Sequence, residues 1–100
     1  MRQIKKRNGQ VVDFAEEKIT SAMRNAFRAM NVAISEDKLS VMTKGVIDEL
    51  WTSFPEMTPS VEHVQDRVEM ALMKEGYLEV AKHYIVYRYE HTKLREVAKQ

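Results

Sequence analysis

The sequence predicts a mainly α fold: an N-terminal β-hairpin set as a small β cap on a four-helix bundle. Three observations carry that expectation. Asn8-Gly9 stands between two short extended runs, apolar residues then recur every three or four positions through four successive segments, and Ser, Pro and Gly residues separate those segments. The chain of 100 residues makes one domain with a modest core and is too short for two.

The elements follow in order. Gln3 to Lys6 and Val11 to Asp13 read as extended, joined around Asn8-Gly9, a pair suited to a two-residue type I′ turn whose central positions both need positive φ. Asp13 is placed to cap the first helix, with Glu16 three residues on to complete a capping box. That helix is expected to end near Met30, with Ile19, Ala22, Met23, Ala26, Phe27 and Met30 on its buried stripe. Ser35 opens a second helix, with Glu36 and Asp37 in its first turn and Leu39, Met42, Val46, Ile47, Leu50 and Phe54 turned inward. The run from Phe54 to Pro59 holds both prolines and cannot continue a helix. Ser60 caps a third helix that buries Val61, Val64, Val68, Ala71 and Leu72, and Gly76 ends it. A fourth starts near Leu78 and directs Val80, Ala81, Tyr84, Ile85, Tyr87 and His91 inward.

Composition narrows the chemistry. A hydrophobic fraction of 44% with 31% charged residues suits a folded domain and argues against disorder. Without cysteine the chain forms no disulfide, iron–sulfur site or thiol nucleophile, which fits a reducing cytoplasm. No apolar run approaches the roughly 18 residues of a membrane span, and no leader segment is evident, so a cytoplasmic location away from membranes is expected. His63, His83 and His91 do not share a helix face with an acid at ligand spacing, and no metal site is expected. There is no GxxxxGK[ST] loop, no acidic cluster for metal-assisted hydrolysis and no nucleophile–base pairing; catalytic residues are expected to be absent.

Charge is distributed less evenly than the net value of +1 suggests, since residues 1–30 hold seven Lys or Arg against three acids. Lys5, Lys6 and Arg7 gather at the hairpin, a helix N-terminus follows at once, and Lys18 lies one turn into that helix. Cations beside a helix N-terminus suit a polyphosphate. On charge alone a plainer reading stands beside it, because lysines on an edge strand also block aggregation.

The spacing adds to the charge. Lys6-Arg7-x-Gly9, an apolar pair, then Phe14 and Lys18-Ile19 resembles the signature of the ATP-cone, the allosteric nucleotide-binding domain of ribonucleotide reductases and of the repressor that controls their genes. The stretch "SVEHVQDRVEMALMKEGYLEVAKHYIVYRYEH" is similar to that family's second half, with Val64-Gln65-Asp66, Val68-Glu69 and the Ala81-x-x-Tyr84-Ile85-x-Tyr87-Arg88 ending. The resemblance covers about residues 3 to 91. It implies an ATP-cone domain over 1–91, with the hairpin in 1–14 and the bundle in 14–91, and with 92–100 as the end of the last helix leading towards a following domain.

The same resemblance implies binding of ATP or dATP, with Mg²⁺ carried on the phosphates, and a regulatory rather than catalytic role. By motif position, Lys6 and Arg7 meet phosphate or base near the turn, the backbone of Val12, Asp13 and Phe14 borders the nucleotide, and Lys18 binds phosphate. Gln65 contacts nucleotide and Arg88 approaches from the fourth helix. Implied partners are a reductase catalytic or radical-generating subunit and further copies of the chain in a nucleotide-dependent oligomer. Two alternatives stand beside this: the sensing domain of the transcriptional repressor, which calls for a zinc ribbon ahead of it, and a small helical nucleic-acid module using the basic hairpin. Against the latter are the small net charge and the acids along every helix, so nucleic acid is not expected as a partner.

Overall fold

The computed structural model describes the backbone of residues 2–98 and the side chains of residues 2–90. Strands β1 (Gln3–Lys5) and β2 (Val11–Asp13) pair antiparallel, and helices α1 (Glu16–Ala29), α2 (Glu36–Ser53), α3 (Val61–Lys74) and α4 (Leu78–Ala98) follow. The fold is mainly α with a β cap, as the periodicity predicts. α1 packs on α2 and α4, and α3 packs on the same two helices, so the four close around one core.

That core is the stack of apolar stripes. Met23, Phe27, Leu39, Val46, Leu50, Val68, Leu72 and Val80 are fully buried, and Phe27 meets Tyr77 edge-on with ring centroids 4.8 Å apart. Burial of each such side chain is worth about 1.5–3 kcal/mol, which outweighs the intrinsic helix propensities of this sequence. Thr43 is buried among them with its hydroxyl satisfied: it donates to the Leu39 carbonyl at 2.9 Å and lies 2.8 Å from the Thr20 hydroxyl.

The caps of α2 and α3 are as the sequence predicts. The Ser35 hydroxyl accepts from the Lys38 N–H, and the Ser60 hydroxyl accepts from the His63 N–H. The box at α3 is completed by the Ser60 N–H donating to His63 Nδ1, so a histidine does the work usually given to Glu or Gln. Gly76 ends α3 at φ +84°, where the Tyr77 N–H returns to the Leu72 carbonyl.

Three expectations are corrected. The hairpin turn is not a two-residue type I′ turn. Lys6 N–H bonds the Gln10 carbonyl, Gly9 N–H bonds the Lys6 carbonyl, and only Gly9 has positive φ, giving a three-residue loop in which the Asn8 side chain accepts from Gln10 N–H. Asp13 does not cap α1. It remains in β2 opposite Gln3, the Phe14 N–H bonds the Arg2 carbonyl, and the chain stays extended through Ala15, whose methyl offers no cap, so the helix starts at Glu16. On α4, Ile85 and Tyr87 are exposed rather than inward. The buried stripe is narrow, Val80, Ala81 and Tyr84, and beyond Tyr84 only Arg88 is even half-buried among the described side chains. His91, Lys93 and Arg95 lie beyond the described side chains, and Lys99 beyond the described residues.

No helix among the described residues is long and apolar enough to cross a membrane.

Candidate functional site

The hairpin is held onto the bundle by the start of α3. Lys5 N–H donates to the Pro59 carbonyl at 2.9 Å, and Lys5 bridges Ser60 in parallel. This edge of β1 is therefore covered at Lys5, which removes part of the case for lysines as edge protection. Pinning the hairpin there leaves a cleft of about 380 Å³ between it, the first half of α1 and the first half of α3.

Three kinds of surface line the cleft. Its walls are apolar: Ile4 and Val12, directly opposed across the hairpin, with Phe14, Ile19, Ala22, Val61, Val64 and Val68. Its exposed rim carries two ammonium groups, Lys6 from the hairpin and Lys18 from α1, neither paired with a carboxylate among the described residues. Within it lies the carboxamide of Gln65, whose Oε1 is buried and has no hydrogen-bond partner among the described residues. An unpaired buried acceptor costs about 1–3 kcal/mol. Together these features complement a molecule with a flat apolar part, a hydrogen-bond donor on that part and a strongly anionic tail.

Tyr84 of α4 borders the same cleft from below and is 5% exposed. Burial pushes its phenol up to about 12, against a weaker downward pull from the Arg88 charge, so it is neutral at physiological pH. A second, smaller cleft of about 270 Å³ between α1 and α4 shares Ala22 and Tyr84 with the first.

Of the residues singled out by the sequence, Lys6, Val12, Asp13, Phe14, Lys18 and Gln65 come together in this cleft. Arg7 and Arg88 do not line it. The Arg7 guanidinium forms an ion pair with the Glu62 carboxylate on α3 at 2.9 Å. Arg88 bonds Asp66 at 2.8 Å and Glu69 at 2.7 Å, also on α3. Burial works against the Arg88 charge, but its hydrogen bonds to Asp66 and Glu69 outweigh that and hold its pKa above the ordinary arginine value. Sequence reasoning missed Ile4, Val61, Val64 and Val68 as walls, because their spacing marks them only as apolar. It also missed Glu62, although Glu62, Asp66 and Glu69 recur at intervals of four and three, the spacing of one helix stripe.

Trp51 on α2 supports the wall from outside. Phe14 meets it edge-on, the Arg2 guanidinium sits 5.0 Å from its ring centroid, and its buried Nε1–H has no acceptor among the described residues. Among the described residues no three His, Cys, Asp or Glu side chains converge as a metal site.

Relatives of this chain are found among large enzymes. The ribonucleoside-diphosphate reductase subunit alpha of Chlamydia trachomatis is 32% identical over 99 residues, which cover 91% of this chain and 10% of the relative. That of Chlamydia pneumoniae is 33% identical over 89 residues, covering 83% and 8%. The vitamin B12-dependent ribonucleoside-diphosphate reductase of Thermoplasma acidophilum is 34% identical over 101 residues, covering 96% and 13%. The chain thus spans about a tenth of the length of the curated relatives it matches. A family model described as the ATP cone domain matches residues 2–93, taking in the hairpin, all of α1 to α3 and most of α4, and on that match this chain belongs to the ATP-cone domain family.

Proposed function

We propose that this domain is an allosteric sensor: it binds ATP or dATP in the cleft between the hairpin and α3 and controls the overall activity of a ribonucleotide reductase. The observation that carries the reading is the buried Oε1 of Gln65, without a partner among the described residues, in an apolar cleft whose rim holds the ammonium groups of Lys6 and Lys18, likewise unpaired among the described residues. An adenine ring fits the apolar walls, its exocyclic amino group supplies the donor that Gln65 lacks, and the phosphates lie with the lysines. Mg²⁺ enters on the phosphates rather than on a cluster of protein ligands. The relatives support the regulatory part, being named as reductases or reductase subunits of which this chain matches only a small fraction. In this reading the domain does no chemistry of its own. Its partners are the catalytic or radical-generating subunit of the reductase and other copies of the chain, and the two nucleotides act by favouring different assemblies.

Titration calorimetry with Mg-ATP, Mg-dATP and Mg-GTP tests this directly. ATP and dATP should bind, GTP much more weakly because its ring presents a carbonyl where adenine presents an amino group, and neither adenine nucleotide should be hydrolysed. Gln65→Leu should lose about 0.5–1.5 kcal/mol of ATP binding, while fold stability is unchanged or rises because an unsatisfied buried acceptor is removed. Equal affinity for the three nucleotides, or sustained phosphate release, would contradict the reading.

A further inference from the structure

Both arginines to which the family resemblance gives a nucleotide role are engaged elsewhere, and by the same helix. Glu62, Asp66 and Glu69 form one acidic stripe along α3, beside Gln65, and draw Arg7 from the hairpin and Arg88 from α4 onto it. The two pairings differ in how firmly they are held. Arg88 is held by at least two carboxylates, with side-chain exposures of 20% for Arg88, 17% for Glu69 and 56% for Asp66, whereas among the described residues Arg7 pairs with Glu62 alone, the two being 26% and 36% exposed. Arg7 is therefore the arginine more easily exchanged. It also follows Lys6 in the chain, and Lys6 lines the rim where an anionic tail would lie.

We propose that Glu62 is a specificity- and affinity-setting latch: it holds Arg7 off the cleft, and a polyphosphate must take Arg7 from Glu62 to complete its own coordination. The inference rests on the cleft being the nucleotide site. The exchange is a competition between two anions for one guanidinium. A phosphate tail with three or more negative charges wins where a monophosphate, or a nucleoside without phosphate, does not. Glu62 thereby discriminates by phosphate number.

Glu62 also lies in the first turn of α3, where a carboxylate favours the helix N-terminus, and its bond to Arg7 braces the hairpin. A brace and a latch predict opposite signs. Mg-ATP and AMP are titrated into the chain, into Glu62→Gln, into Arg7→Ala and into the double variant, with the melting temperature of each recorded. The latch requires Glu62→Gln, which keeps the side-chain shape, to bind Mg-ATP roughly fivefold more tightly than the parent, the worth of an ion pair left partly open to solvent. It requires that gain to vanish on the Arg7→Ala background, and the ratio of ATP to AMP affinity to fall in Arg7→Ala. Unchanged or weaker binding by Glu62→Gln overturns the latch in favour of a brace. An equal gain on both backgrounds overturns it in favour of simple charge repulsion. Failure of the parent chain to bind Mg-ATP is a separate result, and it would remove the nucleotide site itself.

Discussion

Phe14 lines the cleft on one face and meets Trp51 edge-on, with ring centroids 5.5 Å apart and planes at 83°. An aromatic pair in this arrangement is worth about 0.5–1.5 kcal/mol beyond its buried area, so a shift of Phe14 changes the packing around Trp51. Trp51 is the sole tryptophan of the chain. Nucleotide entering against Phe14 should therefore change the intrinsic fluorescence of the domain in a saturable way. Phe14→Leu should abolish most of that signal while calorimetry still detects binding. A signal in Phe14→Leu equal to that of the parent would show that Trp51 is not read through Phe14.

The cations divide into two groups, and the division can be measured. Lys6→Ala and Lys18→Ala should each weaken ATP binding by about 1.5–3 kcal/mol, the scale of a charge-assisted hydrogen bond, with little change in stability. Affinity of the parent should fall as salt rises. Arg88→Ala should behave in the opposite way: it strands the Glu69 carboxylate, 17% exposed, and should cost about 1–3 kcal/mol of stability. Denaturant unfolding beside calorimetry separates the two effects. If the double lysine variant binds dATP like the parent, the two lysine charges play no part in the site.

These contrasts indicate what the sequence could reveal and what it could not. Helix stripes such as Ile19, Met23, Ala26 and Phe27 were legible because burial imposes a 3.6-residue period that survives any tertiary arrangement. Ser35, Ser60 and Gly76 were legible because caps are local chemistry. Asp13 was misread because two local signals competed: its side chain suits a cap, but its backbone is held in register with Gln3. The rim of the cleft was legible through Lys6 and Lys18, which lie close in sequence. Its far wall was not, because Val61, Val64 and Val68 reach it only through the docking of α3 beneath the hairpin at Pro59 and Ser60. Glu62, Asp66 and Glu69 share one helix stripe in the sequence, but their partners appear only when the fold brings arginines from two other elements to them.

Tyr84 makes the domain sensitive to alkali. Its phenol titrates near 10 in the unfolded chain and is pushed up to about 12 in the fold, chiefly by burial. Below pH 10 both states keep the proton, and stability gains nothing from pH. Between about 10 and 12 the unfolded chain releases the proton first, so stability falls as pH rises, by up to about 2–3 kcal/mol from this group. Tyr84→Phe should lose that increment of alkaline destabilisation. Melting temperatures of parent and variant at pH 8 and pH 11 check it: the parent's loss should exceed the variant's by several degrees, and identical losses would refute the assignment.

The last prediction concerns assembly. dATP, more than ATP, should change the association state, and it should do so through helix faces and not through the hairpin. Hairpins bearing Lys5, Lys6 and Arg7 repel one another unless nucleotide lies between them. The helices offer other surfaces: α4 exposes Ile85, Val86, Tyr87 and Tyr89, and α3 exposes Met70 and Met73. Lys18 of α1, Gln65 of α3 and Tyr84 of α4 all line the cleft, so a ligand bound there would link the three helices whose relative positions set those faces. Two nucleotides that differ by one ribose hydroxyl need only seat slightly differently to bias that arrangement. The coupling expected of such a switch is about 1–3 kcal/mol, enough to move an assembly equilibrium five- to a hundredfold. Sedimentation of the domain with each nucleotide, and of the domain carrying Ile85→Lys and Tyr89→Lys, measures it. dATP should produce larger species than ATP in the parent and not in the charged variant. Identical distributions with both nucleotides, in the domain and in a full-length reductase carrying it, would leave a nucleotide site without a switch.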